Sequence, residues 1–299
     1  MHDGIKFGLI FFGILFIVWL VGNGPARFEA QLDGEGTQSF FGPLIPNFSA
    51  FIPRINFDSI GGGFGGGGTS GGGGDSTSSF SDSISLERGT AGYYPTSKGE
   101  YLTIRVGINH SGKTLLSGWE LRSTPTGRSV TIPKAVILPF SGQTNSENFL
   151  FVEPGDVIHI SSGRSPIGYS FRVNKCTGYF EQNQDFAPTL PIDCPRPIDE
   201  KLPEPPDHLS DSCMDFLERT PRCTVPRTPT AAEVPYSCAK YVAENINYNK
   251  CIEKHKDDPD FYKKEWRVYL NYDEKLWKDR REIIRLFDLT KNVVETLTY

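Results

Sequence analysis

Residues 101–121 read Tyr-Leu-Thr-Ile-Arg-Val-Gly-Ile-Asn-His-Ser-Gly-Lys-Thr-Leu-Leu-Ser-Gly-Trp-Glu-Leu, with apolar runs at 101–106 and 116–121 and a polar segment between them. Runs that are rich in β-branched and aromatic residues and lie between turn residues favour β-strands. The same texture recurs downstream, at 129–133, 135–138, 148–152, 156–160 and 169–173. Seven such runs at intervals of roughly 8–12 residues predict an antiparallel β-sandwich and exclude a sheet of alternating strands and helices.

The C-terminal part of the chain combines predicted helices with further strands. Residues 209–219 and 236–250 carry apolar positions at helical spacing and are predicted to form two short helices. Strand texture returns after them, at 265–270, 281–288 and 293–299, and the last two runs form a closing hairpin. We therefore expect one mainly β domain over 84–299, with a cysteine-rich helical insertion at about 195–262.

The N-terminal segment is predicted to insert into a membrane. Residues 7–26 carry no charge, and as a helix at about 1.5 Å per residue they would span about 30 Å, the thickness of the bilayer core. The segment 1–27 is either an uncleaved transmembrane anchor or a signal peptide cut after Ala26, which would give a secreted protein. We favour the anchor because the apolar run is long and Lys6 is the one Lys or Arg before it. Both interpretations place the rest of the chain outside the cytoplasm.

Two segments of biased composition follow this helix. Residues 28–60 are rich in Phe and Pro, show neither a helical nor a strand period, and are predicted to be irregular. Residues 61–83 are dominated first by Gly and then by Ser. A chain of this composition buries too little apolar surface to offset the entropy lost on ordering. We therefore predict a flexible linker at 61–83.

The six cysteines are candidates for disulfide bonds, and they are Cys176, Cys194, Cys213, Cys223, Cys238 and Cys251. An even, clustered set behind an export segment is typical of disulfides formed in an oxidising compartment. Zinc sites use more closely spaced ligands, so metal is the weaker interpretation. If the two predicted helices are antiparallel, Cys213 meets Cys251 and Cys223 meets Cys238, which leaves Cys176 for Cys194. Spacing alone keeps the other connectivities open.

Motifs at both ends of the predicted sandwich resemble those of a known family. Residues 99–106 begin Gly-Glu-Tyr, residues 116–123 contain Gly118-Trp119, and Ile132-Pro133 follow. Residues 283–299 look like the closing hairpin of the same family. Together these motifs resemble the lamin tail domain.

The resemblance extends to bacterial cell-surface versions of this domain with anchored N termini, through motifs at 153–156, 163–168, 170–179 and 266–270. It covers 84–180 and 264–299, and the cysteine-rich insertion departs from it. The resemblance implies an immunoglobulin-like antiparallel sandwich with interaction roles. It supplies no catalytic residues.

Residues 107–114, Gly-Ile-Asn-His-Ser-Gly-Lys-Thr, match the phosphate-loop pattern. In that motif Lys113 would contact phosphate groups, Thr114 would hold magnesium, and a helix must follow. The residues that follow include Gly118 and Pro125 and have strand texture. We therefore predict a strand–turn–strand here and expect no nucleotide.

The sequence offers no pattern for catalysis or metal binding. Its five histidines include no pair at i, i+4, and no Gly-x-Ser-x-Gly motif is found. The 36 acidic and 31 basic residues give a net charge of -5, which argues against binding nucleic acid by phosphate neutralisation. We expect no catalytic residues, no cofactor, no metal and no nucleic-acid partner.

The predicted function is that of a membrane-anchored, extracytoplasmic binding or structural protein without catalytic activity. Its expected partners are the membrane, through the N-terminal helix, and a cell-envelope polymer or a surface protein. The alternative is an extracytoplasmic hydrolase or a hydrolase-accessory module, because lamin-tail-like domains are often fused to hydrolases. A deep pocket with converging His, Asp or Glu side chains would favour that alternative.

Overall fold

A computed structural model describes residues 76–204 and 208–299. The predicted anchor at 7–26, the Phe- and Pro-rich segment at 28–60 and most of the predicted linker lie outside these residues. Within the described ranges, no helix has the length and hydrophobicity that a membrane span requires.

β-Strands dominate the described part of the chain, in agreement with the predicted class. The strands are β1 (Ile84–Glu87), β2 (Tyr101–Val106), β3 (Thr114–Leu115), β4 (Glu120–Ser123), β5 (Ser129–Thr131), β6 (Phe151–Val152), β7 (Val157–Ser161), β8 (Phe171–Asn174), β9 (Tyr262–Tyr269), β10 (Ile283–Phe287) and β11 (Val293–Thr298). The α-helices of the described residues all lie in the predicted insertion, and they are α1 (Asp211–Arg219), α2 (Tyr236–Asn245) and α3 (Tyr248–His255).

The described strands form two main sheets around one apolar core. The first sheet has the order β1-β2-β7-β9-β8 and the second has the order β11-β10-β4-β5, while β3 pairs with β6. Leu102 and Ile158 of the first sheet and Leu121 and Ile284 of the second are fully buried in the same core. Burial of one face from each sheet against the other gives a sandwich-like, mainly β architecture.

The first sheet is mixed, which corrects the prediction of a purely antiparallel sandwich. β7 pairs with β9 in parallel, with Ile160 opposite Val268, and β9 pairs with β8 in the antiparallel direction. Adjacent parallel strands need a long connection that returns the chain to the same end of the sheet. β8 provides this return, because it is antiparallel to β9 and ends with Asn174 opposite Tyr262, and the insertion then connects β8 to β9 at that end of the sheet. The composition of a single strand carries no signal for the direction of its neighbour.

Three predicted elements differ in extent from the observed ones. The predicted strand at 116–121 contains a turn at 117–118, and its last two residues are the start of β4. Within 135–138 the chain makes isolated β-bridges instead of a continuous strand. The predicted helix at 236–250 is divided into α2 and α3. The reason is Asn247, whose side chain accepts a hydrogen bond from the backbone N–H of Lys250 and caps the start of α3.

Residues 76–83, which the sequence assigns to the linker, contact the sandwich. Thr77 forms a β-bridge with Val293, and the backbone N–H of Ser78 donates to the carbonyl of Val293 at 2.8 Å. The ring of Phe80 lies 5.3 Å from the ring of Trp119, centre to centre. Packing on the sandwich therefore begins before residue 84.

All six cysteines, which lie in the described part of the chain, are paired. The bonds are Cys176–Cys251, Cys194–Cys223 and Cys213–Cys238. The pairing that we derived from antiparallel helices is therefore wrong. It was Cys213–Cys251, Cys223–Cys238 and Cys176–Cys194. The reason is the break at Asn247, because Cys251 lies on α3 and not on the helix that carries Cys238. Cys251 therefore pairs with Cys176, just after β8, and α1 and α2 are joined through Cys213 and Cys238.

Candidate binding groove

A cleft of 830 Å³ opens at one end of the first sheet, and its described walls are the segments 94–99, 163–166, 184–187 and 269–273 together with Ser161. This volume lies within the roughly 300–1,000 Å³ that is typical of ligand sites. The topology explains why distant segments meet here. Because β7 and β9 are parallel, the segments that follow them leave the sheet at the same end, and β2, antiparallel to β7, begins at that end.

The segment after β9 is held against the segments after β7 and before β2. The backbone N–H of Tyr272 donates to the carbonyl of Ser162 at 2.9 Å. Arg164 donates two hydrogen bonds to the carboxylate of Asp273, at 2.8 and 2.9 Å, and this guanidinium lowers the pKa of Asp273. The hydroxyl of Ser97 donates to the backbone carbonyl of Asp273 at 3.0 Å. These bonds fix the shape of one wall of the cleft.

The cleft wall at 184–187 is held in place by a buried arginine that binds the residues directly after it. Arg267 is almost fully buried, and its guanidinium donates to the carbonyls of Pro188 and Thr189. It also pairs with the carboxylate of Glu265 at 2.6 Å. Burial lowers the pKa of Arg267, and the neighbouring Glu265 opposes this effect. An ion pair between the buried Arg267 and the partly buried Glu265 therefore anchors the loop that forms this wall.

Aromatic rings form much of the cleft surface. Tyr94 and Tyr272 are 40% and 41% exposed, whereas Phe186 and Tyr269 are buried. The ring of Tyr94 lies against Gly99, at a distance where a side chain on Gly99 would displace it. The cleft thus has two accessible tyrosine rings, and two further aromatic side chains are buried in its walls.

The charged side chains among the described residues that line the cleft are paired with one another. Arg164 binds Asp273, and Lys98 lies 3.5 Å from Asp185. Each pair contains one cation and one anion. The cleft therefore has charged groups in its walls but no net charge.

Two further depressions adjoin the cleft, with volumes of 600 and 360 Å³. Gln184 lines all three cavities, and Ser141 and Phe180 line the second and the third. We call the three cavities together the groove. None of the described residues that line the second and third cavities is charged.

The far part of the groove lies between the sandwich and the insertion. Asn249 of α3 exchanges two hydrogen bonds with the backbone of Ser141, both at 3.0 Å. The hydroxyl of Tyr248 donates to the carbonyl of Pro139 at 2.7 Å, and its ring lies 4.2 Å from the ring of Phe180, centre to centre. These contacts attach α3 to the loop at 140–144, so both parts of the domain shape the groove.

Two buried polar atoms of groove residues have no hydrogen-bond partner among the described residues. They are the hydroxyl of Tyr269 and the side-chain amide oxygen of Gln184. Burial raises the pKa of Tyr269, so its hydroxyl remains protonated and able to donate at neutral pH. A buried polar atom without a partner costs about 1–3 kcal/mol. Both atoms are closed to solvent, so a ligand would recover this energy by reaching them after a side-chain rotation.

The phosphate-loop pattern forms the predicted turn between β2 and β3. The segment at 107–114 leads into the strand β3 and not into a helix. Lys113 lies 3.8 Å from Glu153, and the hydroxyl of Thr114 hydrogen-bonds to Nε2 of His110 at 2.8 Å. The side chains that the motif would use for phosphate and magnesium are therefore engaged with neighbouring protein groups.

Two histidines join separate parts of the described chain through polar contacts. Nδ1 of His110 hydrogen-bonds to the hydroxyl of Ser83 at 2.9 Å, and His255 contacts the carboxylates of Asp258 and Glu200, both at 2.9 Å. Within the described ranges, no group of three or more His, Cys, Asp or Glu side chains is arranged to bind a metal. Neither histidine lines the groove.

The groove residues were missed by sequence reasoning because they come from many separate loops. The available signals were clusters of Tyr, Asn and Pro in predicted loops, such as Tyr93-Tyr-Pro95 and Asn247-Tyr-Asn249. Such clusters also occur in ordinary turns. Their convergence becomes visible once the strands are paired.

Comparison with protein-family models, with curated proteins and with solved structures found no match for this chain. The chemistry of the groove is therefore the basis for assigning a function.

Proposed function

We propose that this chain is an extracytoplasmic, non-catalytic binding module and that the groove is its ligand site. The observation that carries the proposal is the groove itself, with accessible tyrosine rings and uncharged polar side chains in its walls. In this proposal the apolar segment at 7–26 anchors the protein in the membrane and the Gly-rich linker presents a lamin-tail-like domain. Its motifs at 99–106 and 116–123 resemble those of a family with interaction roles.

The disulfide bonds support a location outside the cytoplasm. The bonds Cys176–Cys251, Cys194–Cys223 and Cys213–Cys238 use every cysteine of the chain. Such bonds persist in oxidising compartments and are rare where glutathione and thioredoxin keep thiols reduced. This agrees with export by the apolar N-terminal segment.

The electrostatics of the cleft do not suit a carboxyl group that acts as a general acid. A catalytic general acid needs a pKa raised towards neutrality. The guanidinium of Arg164 instead lowers the pKa of Asp273, and Asp185 is paired with Lys98. The carboxylates of the described cleft residues are thus arranged as ion pairs, which suits a binding surface.

The test is a binding survey with the full chain, purified in a detergent without a sugar headgroup. The probes are uncharged oligosaccharides, extended peptides and anionic polymers. Tyr272→Ala removes an accessible ring of the cleft, and Tyr236→Ala is the matched control, because Tyr236 is 82% exposed on α2 and does not line the groove. We expect one probe class to bind, and Tyr272→Ala to weaken that binding about tenfold while Tyr236→Ala leaves it unchanged.

Two results would overturn the proposal. One is that Tyr272→Ala binds every probe as the wild type does. The other is cleavage of a probe by the wild-type protein, because turnover would make the chain an enzyme.

A further inference from the structure

The charge of the groove restricts the class of ligand. Charged residues make up 22% of the chain, yet the described walls of the second and third cavities contain none. In the cleft, Arg164 and Asp273 bind each other, as do Lys98 and Asp185. These exposed pairs cost little to break, but each combines one cation with one anion, so the cleft offers an ionic ligand no excess charge of either sign. The groove is therefore matched to a ligand without net charge.

The hydrogen-bonding groups of the groove call for a ligand that both donates and accepts. Gln184 lines all three cavities, and its side-chain amide can both donate and accept, as can the hydroxyl of Ser141, which lines the second and third. The far part adds further side-chain amides and hydroxyls, including Asn183, Gln143 and Thr144. A hydroxyl group is the simplest ligand group that satisfies both kinds of partner, and a ligand with many hydroxyls can do so along the whole groove.

The aromatic rings require that the same ligand also has apolar faces. Tyr94 and Tyr272 expose part of their rings to the cleft, and Phe180 lies where the second and third cavities meet. A ligand of many hydroxyls with flat C–H faces can stack on such rings while it bonds to the polar groups beside them. Sugar rings combine these two properties.

The form of the groove indicates a chain of sugars in place of a single sugar. The three cavities, of 830, 600 and 360 Å³, follow one another through Gln184. An extended peptide recognised by strand addition would instead use a free strand edge. The groove is walled by loops, a 3₁₀ helix at Thr177–Gln182 and the start of α3.

We propose that the groove binds an uncharged oligosaccharide chain several rings long, with Gln184 at its centre and Tyr272 stacking on a ring in the cleft. This inference rests on the proposed binding function and specifies its ligand.

The experiment is calorimetric titration of the full chain, in a detergent without a sugar headgroup, with linear hexamers of glucose, mannose and N-acetylglucosamine. Gln184→Leu removes the unpartnered amide and keeps the approximate volume of the side chain, so it is expected to fold at least as stably as the wild type. Tyr272→Ala removes a stacking ring, and Tyr236→Ala is the control.

We expect at least one hexamer to bind, the corresponding single sugar to bind at least about tenfold more weakly, and salt to have little effect, because the ligand is uncharged. Gln184→Leu and Tyr272→Ala should each weaken binding about tenfold, and Tyr236→Ala should change it less than about twofold. Thermal unfolding of each variant separates lost binding from lost folding.

Other outcomes distinguish this inference from the proposed function. If a proline-rich peptide or a polyglutamate binds in place of the sugars and that binding needs Tyr272, the sugar assignment is wrong and the binding function stands. If the sugars bind to Gln184→Leu and to Tyr272→Ala as tightly as they bind to the wild type, the groove is not their site. If no probe of any class binds in a manner that depends on Tyr272, both proposals fall.

Discussion

Tyr269 and Tyr248 are buried tyrosines of the groove region whose hydroxyl groups have different surroundings. Each side chain is 4% exposed. The hydroxyl of Tyr248 donates to the carbonyl of Pro139, whereas that of Tyr269 has no partner among the described residues. Removal of a bonded hydroxyl leaves a buried carbonyl unsatisfied, but removal of an unpartnered one relieves a cost. The two residues therefore form a matched pair for testing whether a buried hydroxyl stabilises the fold when it has a partner and destabilises it when it has none.

We predict that Tyr248→Phe lowers the free energy of unfolding by about 1–2 kcal/mol, and that Tyr269→Phe leaves it unchanged or raises it by up to about 1 kcal/mol. Urea unfolding of the full chain measures both values. If Tyr269→Phe lowers the free energy of unfolding by more than about 1 kcal/mol, this hydroxyl has a structural partner and is not free to bind a ligand.

His159 of β7 is held in its neutral form by its surroundings. Burial, with the nearby cations Arg267 and Arg105, lowers its pKa to about 4. Nδ1 of His159 hydrogen-bonds to the hydroxyl of Thr103 at 3.0 Å, and the carboxylate of Glu265 lies 3.7 Å from Nε2. In the unfolded chain the pKa of this side chain returns to about 6.5. The unfolded state therefore takes up a proton at a higher pH than the folded state does.

We predict that His159 makes the protein less stable as the pH falls from about 6.5 to about 4, because the unfolded state binds more protons in this interval. After allowance for partial exposure, the loss attributable to this residue is about 2 kcal/mol. His159→Gln should show a shallower decline. Urea unfolding at pH 7 and pH 4.5, compared between wild type and variant, measures the difference. If the free energy of unfolding declines equally in the wild type and in His159→Gln, then His159 has the same pKa in the folded and unfolded states.

The disulfide bonds lie in two small apolar clusters, one with Cys176–Cys251 and Cys194–Cys223 and the other with Cys213–Cys238. Cys176–Cys251 joins the start of the 3₁₀ helix at Thr177–Gln182 to α3, and both of these elements contribute groove residues. Cys213–Cys238 joins α1 to α2, whose described residues do not line the groove. The two bonds lie in separate apolar clusters. Cores of this size bury little surface and depend on covalent links.

We predict that replacing either pair by serine removes about 2–4 kcal/mol of local stability, with different consequences. In the Cys176→Ser/Cys251→Ser variant, backbone hydrogen exchange should accelerate at 177–184 and in α3, which deforms the groove. In the Cys213→Ser/Cys238→Ser variant, it should accelerate in α1 and α2 and leave the groove protected. Mass-spectrometric hydrogen exchange distinguishes the two patterns, and equal acceleration at the groove in both variants would contradict the separation of the cores.

At the scale of the whole molecule, the described sandwich core and the disulfides are separate sources of stability. The core between the two main sheets includes Trp119, Leu121 and Ile284 and, among the described residues, contains no cysteine. The cysteines lie between Cys176 and Cys251. The sandwich is thus held by apolar burial, while the insertion depends on the redox state of the compartment.

We predict that the full chain, produced in a bacterial host with its own N-terminal segment, has no alkylatable thiol until it is reduced. A chain lacking residues 2–26 should remain in the cytoplasm and expose reactive thiols at the same cysteines. The mass increase after alkylation, with and without prior reduction, counts the thiols directly. Reactive thiols in the full chain would contradict export and with it the proposed location.

Much of the secondary structure is readable from the chain itself. The runs at 101–106, 129–133 and 156–160 predict β2, β5 and β7 to within a few residues, because strand texture depends on neighbouring side chains. The turn at 107–114 follows from the glycines and from the strand texture after it. The even number of cysteines likewise predicts that all of them are paired.

Other features arose from contacts between residues that are far apart in the chain. The parallel pairing of β7 with β9, the disulfide connectivity and the groove belong to this group. Asn249 and Ser141, whose bonds shape the groove, are 108 positions apart. Alternation, composition and turn chemistry are local properties, so they establish a β-rich chain with bonded cysteines. Which strand lies beside which, and therefore which loops meet around Gln184, depends on how the core packs, and no local pattern encodes that choice.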